Sequence, residues 1–222
     1  MTVRGVLLDW RGTLAVTVPW SRWIERALRR VGGAADPAEV RRVGAALGDA
    51  LALAAVRRTW SRHDVSAAVH RTCHDTWFRA AGIPADLAAA LYAEESDPAR
   101  NPFAADVRPT LAALDGAGLA VAIVSDIHFD LRPTFAAAGL DGFVDAYVLS
   151  FEHGAQKPDA VFFRLALEAL GISAGEALMV GDRSTHDGAA VEAGIPTLLL
   201  PPLTGVDDER LHLVLSTCGV TR

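Results

Sequence analysis

Apolar residues along this chain follow two different rhythms. Val3–Leu8 is a short apolar run that stops at Asp9 and is followed by Gly12, which predicts a buried strand and a turn. From Pro19 to about Glu95 the pattern changes to alanine, leucine and arginine at helical spacing, and strand signals vanish. Helices are predicted over Pro19–Val31, Pro37–Arg58, Asp64–Ala81 and Pro84–Glu95, separated by Gly32-Gly33, Ser61–Asp64 and Gly82-Ile83. After Asp97-Pro98 and Asn101-Pro102 the chain alternates. Helix Arg108–Ala117 precedes strand Ala120–Val124, Leu131–Ala138 precedes Ala146–Leu149, Pro158–Leu170 precedes Ala177–Val180, and Ser184–Ala193 precedes Thr197–Leu200, with a last helix over Asp207–Ser216.

Such alternation, with strands apolar on both faces, predicts an α/β fold: a doubly wound parallel sheet covered by helices. The helical stretch reads as a separate, all-helical domain at 16–100, inserted into a core made of 1–15 and 101–222. In open parallel sheets ligands bind beyond the carboxyl ends of the strands. Asp9 follows the first strand, Ser125 and Asp126 the second, and Asp182 the strand Ala177–Val180, while Lys157 lies in the loop after Ala146–Leu149. Any one of these aspartates could be a cap or turn residue; their joint placement points to one site.

Composition sharpens the picture at Lys157, the single lysine among twenty arginines. An ammonium is a compact point charge and a guanidinium a wide planar fork. A site that places one small positive charge between a nucleophile and an anionic substrate favours the first. With 222 residues, 51% of them apolar, the chain is expected to be globular, with room for a core and an insertion. A net charge of −6 argues against a general nucleic-acid binder. Two cysteines, Cys73 and Cys218, make no disulfide framework and suggest a reducing cytoplasm. Arg4, Asp9 and Arg11 interrupt what would be the apolar part of a signal peptide, and no run is long enough to span a membrane. The oligomer is expected to be a monomer or a homodimer.

A carboxylate can attack phosphorus or carbon and form a covalent intermediate that water later cleaves. Phosphoryl transfer calls for charge neutralisation beside the nucleophile, by magnesium and a cation. Asp9 and Asp182 would supply carboxylates to Mg2+. Asp187, five residues on, would hold a metal-bound water. Ser125 would bind an oxygen of the transferred group, and Lys157 would bridge it to the nucleophile.

Taken together these segments resemble the haloacid dehalogenase-like hydrolase superfamily, its phosphatase and phosphoglucomutase branch. The matching motifs are Asp9-Trp10-Arg11-Gly12-Thr13-Leu14, Ser125-Asp126 after Val121–Val124, Lys157-Pro158 with Phe162 downstream, and Gly181-Asp182-Arg183-Ser184-Thr185-His186-Asp187 with Gly188-Ala189. Gly139-Leu140 through Asp145 and Ala193-Gly194-Ile195-Pro196 add to the likeness. The resemblance implies a Rossmann-like core with an inserted helical cap, hinged near Ala15–Val18 and Asp97–Phe103. It implies a magnesium-dependent phosphatase acting on a small phosphorylated metabolite through an aspartyl-phosphate. Asp9 would be the nucleophile, with Ser125 and Lys157 catalytic. Arg11, Gly12, Ser125, Asp126 and Lys157 would bind substrate. Asp9, the Arg11 carbonyl, Asp182 and Asp187 would hold the metal.

One position departs from the family pattern. Phosphatases of this superfamily carry a second aspartate two residues after the nucleophile, as the proton shuttle; here that residue is Arg11, which cannot deprotonate. Three aspartates against Lys157 and Arg11 leave one net negative charge without any metal, so Arg11 is expected to pair with Asp9 or Asp182 and weaken magnesium binding. His128 and His153 are candidate substitutes for the missing acid. The alternatives are a carbon–halogen hydrolase, whose leaving group needs no proton, and a catalytically impaired relative that binds a phosphorylated ligand or a protein.

Within the helical region, His70, Cys73 and His74 share one helix face at metal-ligating spacing; without a further ligand they read as a buried cysteine beside two partly exposed histidines. Trp20 and Trp23 would stack on a substrate ring or pack between helices.

Overall fold

A computed structural model describes residues 2–220. The elements run β1 (Gly5–Leu8), α1 (Trp20–Arg30), α2 (Pro37–Leu51), α3 (Ala54–Trp60), α4 (Ala67–Ala80), α5 (Ala85–Glu95), α6 (Val107–Gly116), β2 (Ala120–Ser125), α7 (Arg132–Ala137), β3 (Ala146–Leu149), α8 (Ser150–His153), α9 (Ala160–Leu170), β4 (Ala177–Gly181), β5 (Thr197–Leu199) and α10 (His212–Cys218). They form two compact units, Val18–Arg100 and the remainder.

The larger unit is the parallel sheet expected from the alternating pattern, in the order β3-β2-β1-β4-β5. β1 lies at its centre, with Leu8 beside Ile123 of β2 and Val180 of β4. Successive strand residues point to opposite faces, and both faces are buried. Val6, Leu8, Val121, Ile123, Leu178 and Val180 enter one apolar cluster, and Leu7, Ala122, Val124 and Met179 enter another with Phe162 and Phe163 of α9. No helix of the described residues is long and apolar enough to cross a membrane.

Where the sheet unit gives way to the insertion, its two crossing segments are bonded to each other. Ala104 N donates to Leu14 O and Val16 N to Pro102 O, both at 2.9 Å, and the Asn101 amide donates to Val16 O at 2.9 Å.

In the helical unit, Trp23, Leu28, Leu47, Val56, Trp77 and Leu91 are buried together. The indole nitrogens of Trp23 and Trp77 donate to Leu91 O and Leu47 O, each at 2.8 Å. Trp23 therefore packs between helices. Trp20, on the edge of that aromatic group, is 44% exposed. His70 and His74 are both buried, contrary to the partly exposed histidines expected. Cys73 Sγ donates to Thr59 O at 3.1 Å, His74 Nδ1 lies 3.0 Å from His70 O, and His70 Nδ1 lies 3.2 Å from the Tyr92 hydroxyl. The two histidine rings stack with centroids 4.1 Å apart, while the Cys73 thiol is turned to the Thr59 carbonyl. Arg26, Arg29, Arg30, Arg41, Arg42, Arg57 and Arg58 are exposed.

Several boundaries differ from the sequence reading. The helix expected over Pro37–Arg58 breaks at Leu53, whose extended backbone leaves it exposed while Val56 turns inward. Ser66 caps α4 through Val69 N and delays its start. Ser184–Ala193 is not an α-helix but a 3-10 segment over Asp187–Ala193. The last helix begins at His212, not Asp207. Asp208 Oδ2 takes the Thr204 and Gly205 amides, and Asp106 Oδ2 takes those of Arg210 and Leu211, which holds the stretch before it out of a helix.

Candidate active site

Ends of β1, β2 and β4, with the loop after β3, bring the candidate residues to one edge of the sheet. Asp9 emerges as β1 ends, its amide donating to Val180 O at 2.9 Å. Gly12 then turns with φ +90, and a Cβ there would fall 2.6 Å from Asp182 Oδ2, so no other residue fits beside that carboxylate without displacement. The Thr13 hydroxyl donates to Asp9 Oδ2 at 3.2 Å. Ser125 ends β2, buried. Asp126 Oδ1 accepts the Lys157 amide at 2.8 Å and so fixes the loop that carries the lysine.

Lys157 is 2% exposed. Its ammonium donates to Asp9 Oδ1 and Asp187 Oδ1, each at 2.6 Å, and to Val124 O at 3.1 Å. Three donors thus meet three acceptors in three directions, a geometry a planar guanidinium does not reproduce. Asp187 is fully buried, and its other oxygen accepts the amides of Asp182 and Arg183 at 3.1 and 2.9 Å. Both of its oxygens are therefore occupied by the lysine and the β4 loop.

The electrostatics follow from burial. Burial, opposed by Lys157 and reinforced by Asp187, pushes the Asp9 carboxyl up to about 7. Burial also raises Asp182, with Asp187 adding to it. Burial works against the charge on Lys157, but Asp9, Asp187 and Asp126 outweigh it and raise its pKa, keeping it an ammonium. Three carboxylates around one ammonium leave an excess of negative charge. One oxygen each of Asp9, Asp182 and Asp187 lies within 4.8 Å of the others. Asp182 Oδ1 is buried and has no hydrogen-bond donor among the described residues. Oxygen ligands, excess negative charge and an unsatisfied carboxylate oxygen fit a hard divalent cation.

The structure brings Asp9, Lys157, Asp182 and Asp187 together, with Asp126 one bond away. The Arg11 guanidinium lies over the Trp10 ring, 5.4 Å from its centroid, and Trp10 is buried in the sheet core. His128 is buried against Phe129, with ring centroids 4.8 Å apart, while His153 is exposed at the end of α8. Three contributors escaped the sequence reading. They are Thr13, through its hydroxyl on Asp9; Ser150, whose hydroxyl both accepts from Ile127 N at 2.8 Å and donates to Ile127 O at 3.0 Å; and Arg210, which donates to Thr13 O at 2.7 Å. Thr13 stood inside a quoted motif; Ser150 and Arg210 carry no local signal.

This fold, and the motifs at its edge, define a class: the chain belongs to the haloacid dehalogenase-like hydrolases, whose family model matches residues 3–194. It is 35% identical over 99 residues to a ribulose-1,5-bisphosphate 5-phosphatase from Halopiger xanaduensis, covering 44% of this chain and 41% of that protein. It is 36% identical over 103 residues to a phosphoserine phosphatase from Thermus thermophilus, covering 46% of this chain and 40% of that protein. The match thus spans about two fifths of each relative's length. Among solved structures, an HAD phosphatase from Thermococcus onnurineus superposes with a TM-score of 0.63 at 22% identity, covering 98% of both chains. A 2-haloacid dehalogenase from Pseudomonas syringae pv. Tomato gives 0.62 at 21% identity, covering 97% of this chain and 99% of that one. These two likenesses establish the fold.

Proposed function

We propose that this hydrolase is a magnesium-dependent phosphatase that removes a phosphoryl group from a small phosphorylated metabolite through an aspartyl-phosphate on Asp9. The observation that carries the reading is the Lys157 ammonium, 2.6 Å from both Asp9 and Asp187, beside a third carboxylate with an unsatisfied oxygen. The partial matches to two phosphatases support it.

On this reading an Asp9 oxygen attacks phosphorus as the bond to the leaving oxygen breaks, and water then cleaves the acyl phosphate, regenerating the carboxylate. Lys157 cancels charge that would repel an anionic substrate, and Ser125, with the backbone of Arg11, Gly12 and Asp126, receives the phosphoryl oxygens. Asp187 positions Lys157 and the Asp182–Arg183 backbone. Asp9, the Arg11 carbonyl and Asp182 would hold Mg2+, with Asp187 behind them. The ion would supply charge neutralisation across the transferring group.

Arg11 shapes the choice of substrate. With no carboxylic acid at that position, the leaving oxygen departs as an anion or takes its proton from water or from another side chain. That favours acyl, aryl or anhydride phosphates over simple alkyl esters. The same position supports a second reading, hydrolysis of a carbon–halogen bond, because halide leaves without a proton. The free Cys73 and Cys218 support a cytoplasmic setting. Phosphate release from acetyl phosphate and para-nitrophenyl phosphate, set against halide release from 2-haloacids, separates the two readings. Acid-quenched protein carrying stoichiometric label from a radiolabelled phosphate ester, lost in Asp9→Asn, is the expected result; label retained in Asp9→Asn overturns the nucleophile assignment.

A further inference from the structure

Beyond the span matched by the family model, the chain returns to the turn that follows Asp9. Arg210 Nη2 donates to Thr13 O at 2.7 Å and, at a longer 3.4 Å, to Gly12 O, while Nη1 donates to Pro201 O. Leu203 N also donates to Gly12 O, at 2.8 Å. The arginine is itself held: Asp106, buried at the start of α6, accepts the backbone amides of Arg210 and Leu211 at 2.7 and 2.8 Å. One fork thus gathers carbonyl oxygens from two loops separated by nearly the whole chain. Of the two turn carbonyls, the one it holds more closely belongs to Thr13, whose hydroxyl touches Asp9 Oδ2.

We propose that Arg210 is a positioning residue for the nucleophile. It fixes the Gly12–Thr13 turn from beneath and, through the Thr13 hydroxyl, the orientation of the Asp9 carboxylate. The proposal rests on the reading of Asp9 as nucleophile. Its physical logic is that a carboxylate attacking in line needs its direction set before substrate arrives, and small misplacements of a reacting group are costly in rate. A planar guanidinium can bond several carbonyls at once; a lysine at the same place reaches fewer. Gly12 cannot stiffen its own turn, because a side chain there collides with Asp182.

The test compares wild type with Arg210→Met, Arg210→Lys, Thr13→Val and the Arg210→Met/Thr13→Val double variant, using para-nitrophenyl phosphate with magnesium chloride as the probe. Amide hydrogen exchange over residues 12–15 is measured alongside, since it reads the turn without reading catalysis. In Arg210→Met, exchange at those amides speeds up while the β4 amides stay protected, and kcat falls by about tenfold or more with KM within about twofold. The double variant loses no more than the worse single variant, because both act through one contact. Arg210→Lys falls between wild type and Arg210→Met, and stands in for it if the methionine variant does not fold. Unchanged exchange over residues 12–15, or losses that multiply in the double variant, overturn the proposal. Wild-type turnover in Asp9→Asn would instead defeat the nucleophile reading, leaving the exchange result to judge the clamp.

Discussion

The carboxylate of Asp187 fills the space that a side chain on Gly181 would need: a Cβ at Gly181 would lie 2.1 Å from the Asp187 carboxyl carbon. Gly181 is in extended strand, not at a turn, so its requirement is one of room and not of backbone angle. Gly181→Ala must displace Asp187 from Lys157 and from the amides of Asp182 and Arg183. We expect a loss of about 1–3 kcal/mol in denaturant unfolding, as for other overpacked interiors, together with loss of turnover. Gly188→Ala is the control: its Cβ would meet Leu199 Cδ1 at an ordinary 3.6 Å, and stability stays near wild type.

Removing the ammonium itself leaves two buried carboxylates facing one another. Lys157→Met is expected to destabilise the fold by roughly 3–5 kcal/mol, the cost of an uncompensated buried charge, and to be partly restored by added magnesium. Urea titrations with and without the cation measure both effects. A variant as stable as wild type would show that the lysine balances no charge here.

Arg11→Asp restores an acid at the position the phosphatases use. The wild-type protein should show a steep dependence of kcat/KM on the leaving-group pKa across a series of substituted phenyl phosphates. Arg11→Asp should flatten that dependence and gain about a hundredfold with poor leaving groups, the usual reach of general acid catalysis. Equal slopes in the two proteins would mean that another group already donates the proton.

Chelation should abolish phosphate release, and magnesium should restore it. Asp182→Asn removes the carboxylate whose Oδ1 has no donor among the described residues. It should raise the magnesium concentration for half-maximal activity and weaken calorimetric binding by about 10-fold or more. Undiminished binding in Asp182→Asn would place the cation elsewhere.

In the helical unit, burial lowers the pKa of His74 below its ordinary 6.5, the nearby Glu95 opposing the shift only in part. The folded protein therefore binds this proton less readily than the unfolded chain. Stability should be flat above pH 6.5 and fall as pH drops below it, with a slope of at most about 1.4 kcal/mol per pH unit from this one site. Unfolding midpoints of wild type and His74→Phe, followed from pH 7.5 to 5.5 (about two pH units spanning the transition), should diverge on the acid side, the variant being the flatter.

Much of this was legible before any coordinates. Short apolar runs such as Leu178–Val180, alternating with helical stretches, pointed to strands covered on both faces, and the alanine, leucine and arginine at helical spacing pointed to helices. The lone lysine pointed to a place where charge must be compact, and it does lie against Asp9. Helix limits were read less well. The break at Leu53 has no glycine or proline to announce it, and the delayed start of α10 depends on Asp106, about a hundred residues upstream, taking the Arg210 amide. Thr13, Ser150 and Arg210 were missed as participants for the same reason: their roles are hydrogen bonds between segments that only the fold makes neighbours. The burial of His70 and His74 likewise follows from packing against Trp60, Trp77 and Tyr92, which helical spacing alone does not reveal.

The bonds joining Leu14 and Val16 to Ala104 and Pro102 mean that the excursion from Val18 to Arg100 leaves and rejoins the sheet unit at one point. For the backbone of that unit the detour is topologically a loop with touching ends. The entropy of closing such a loop grows only with the logarithm of its length. Lengthening or shortening the inserted helices therefore adds little to the entropy of holding those two crossing segments together, one of which follows the strand that leads to Asp9.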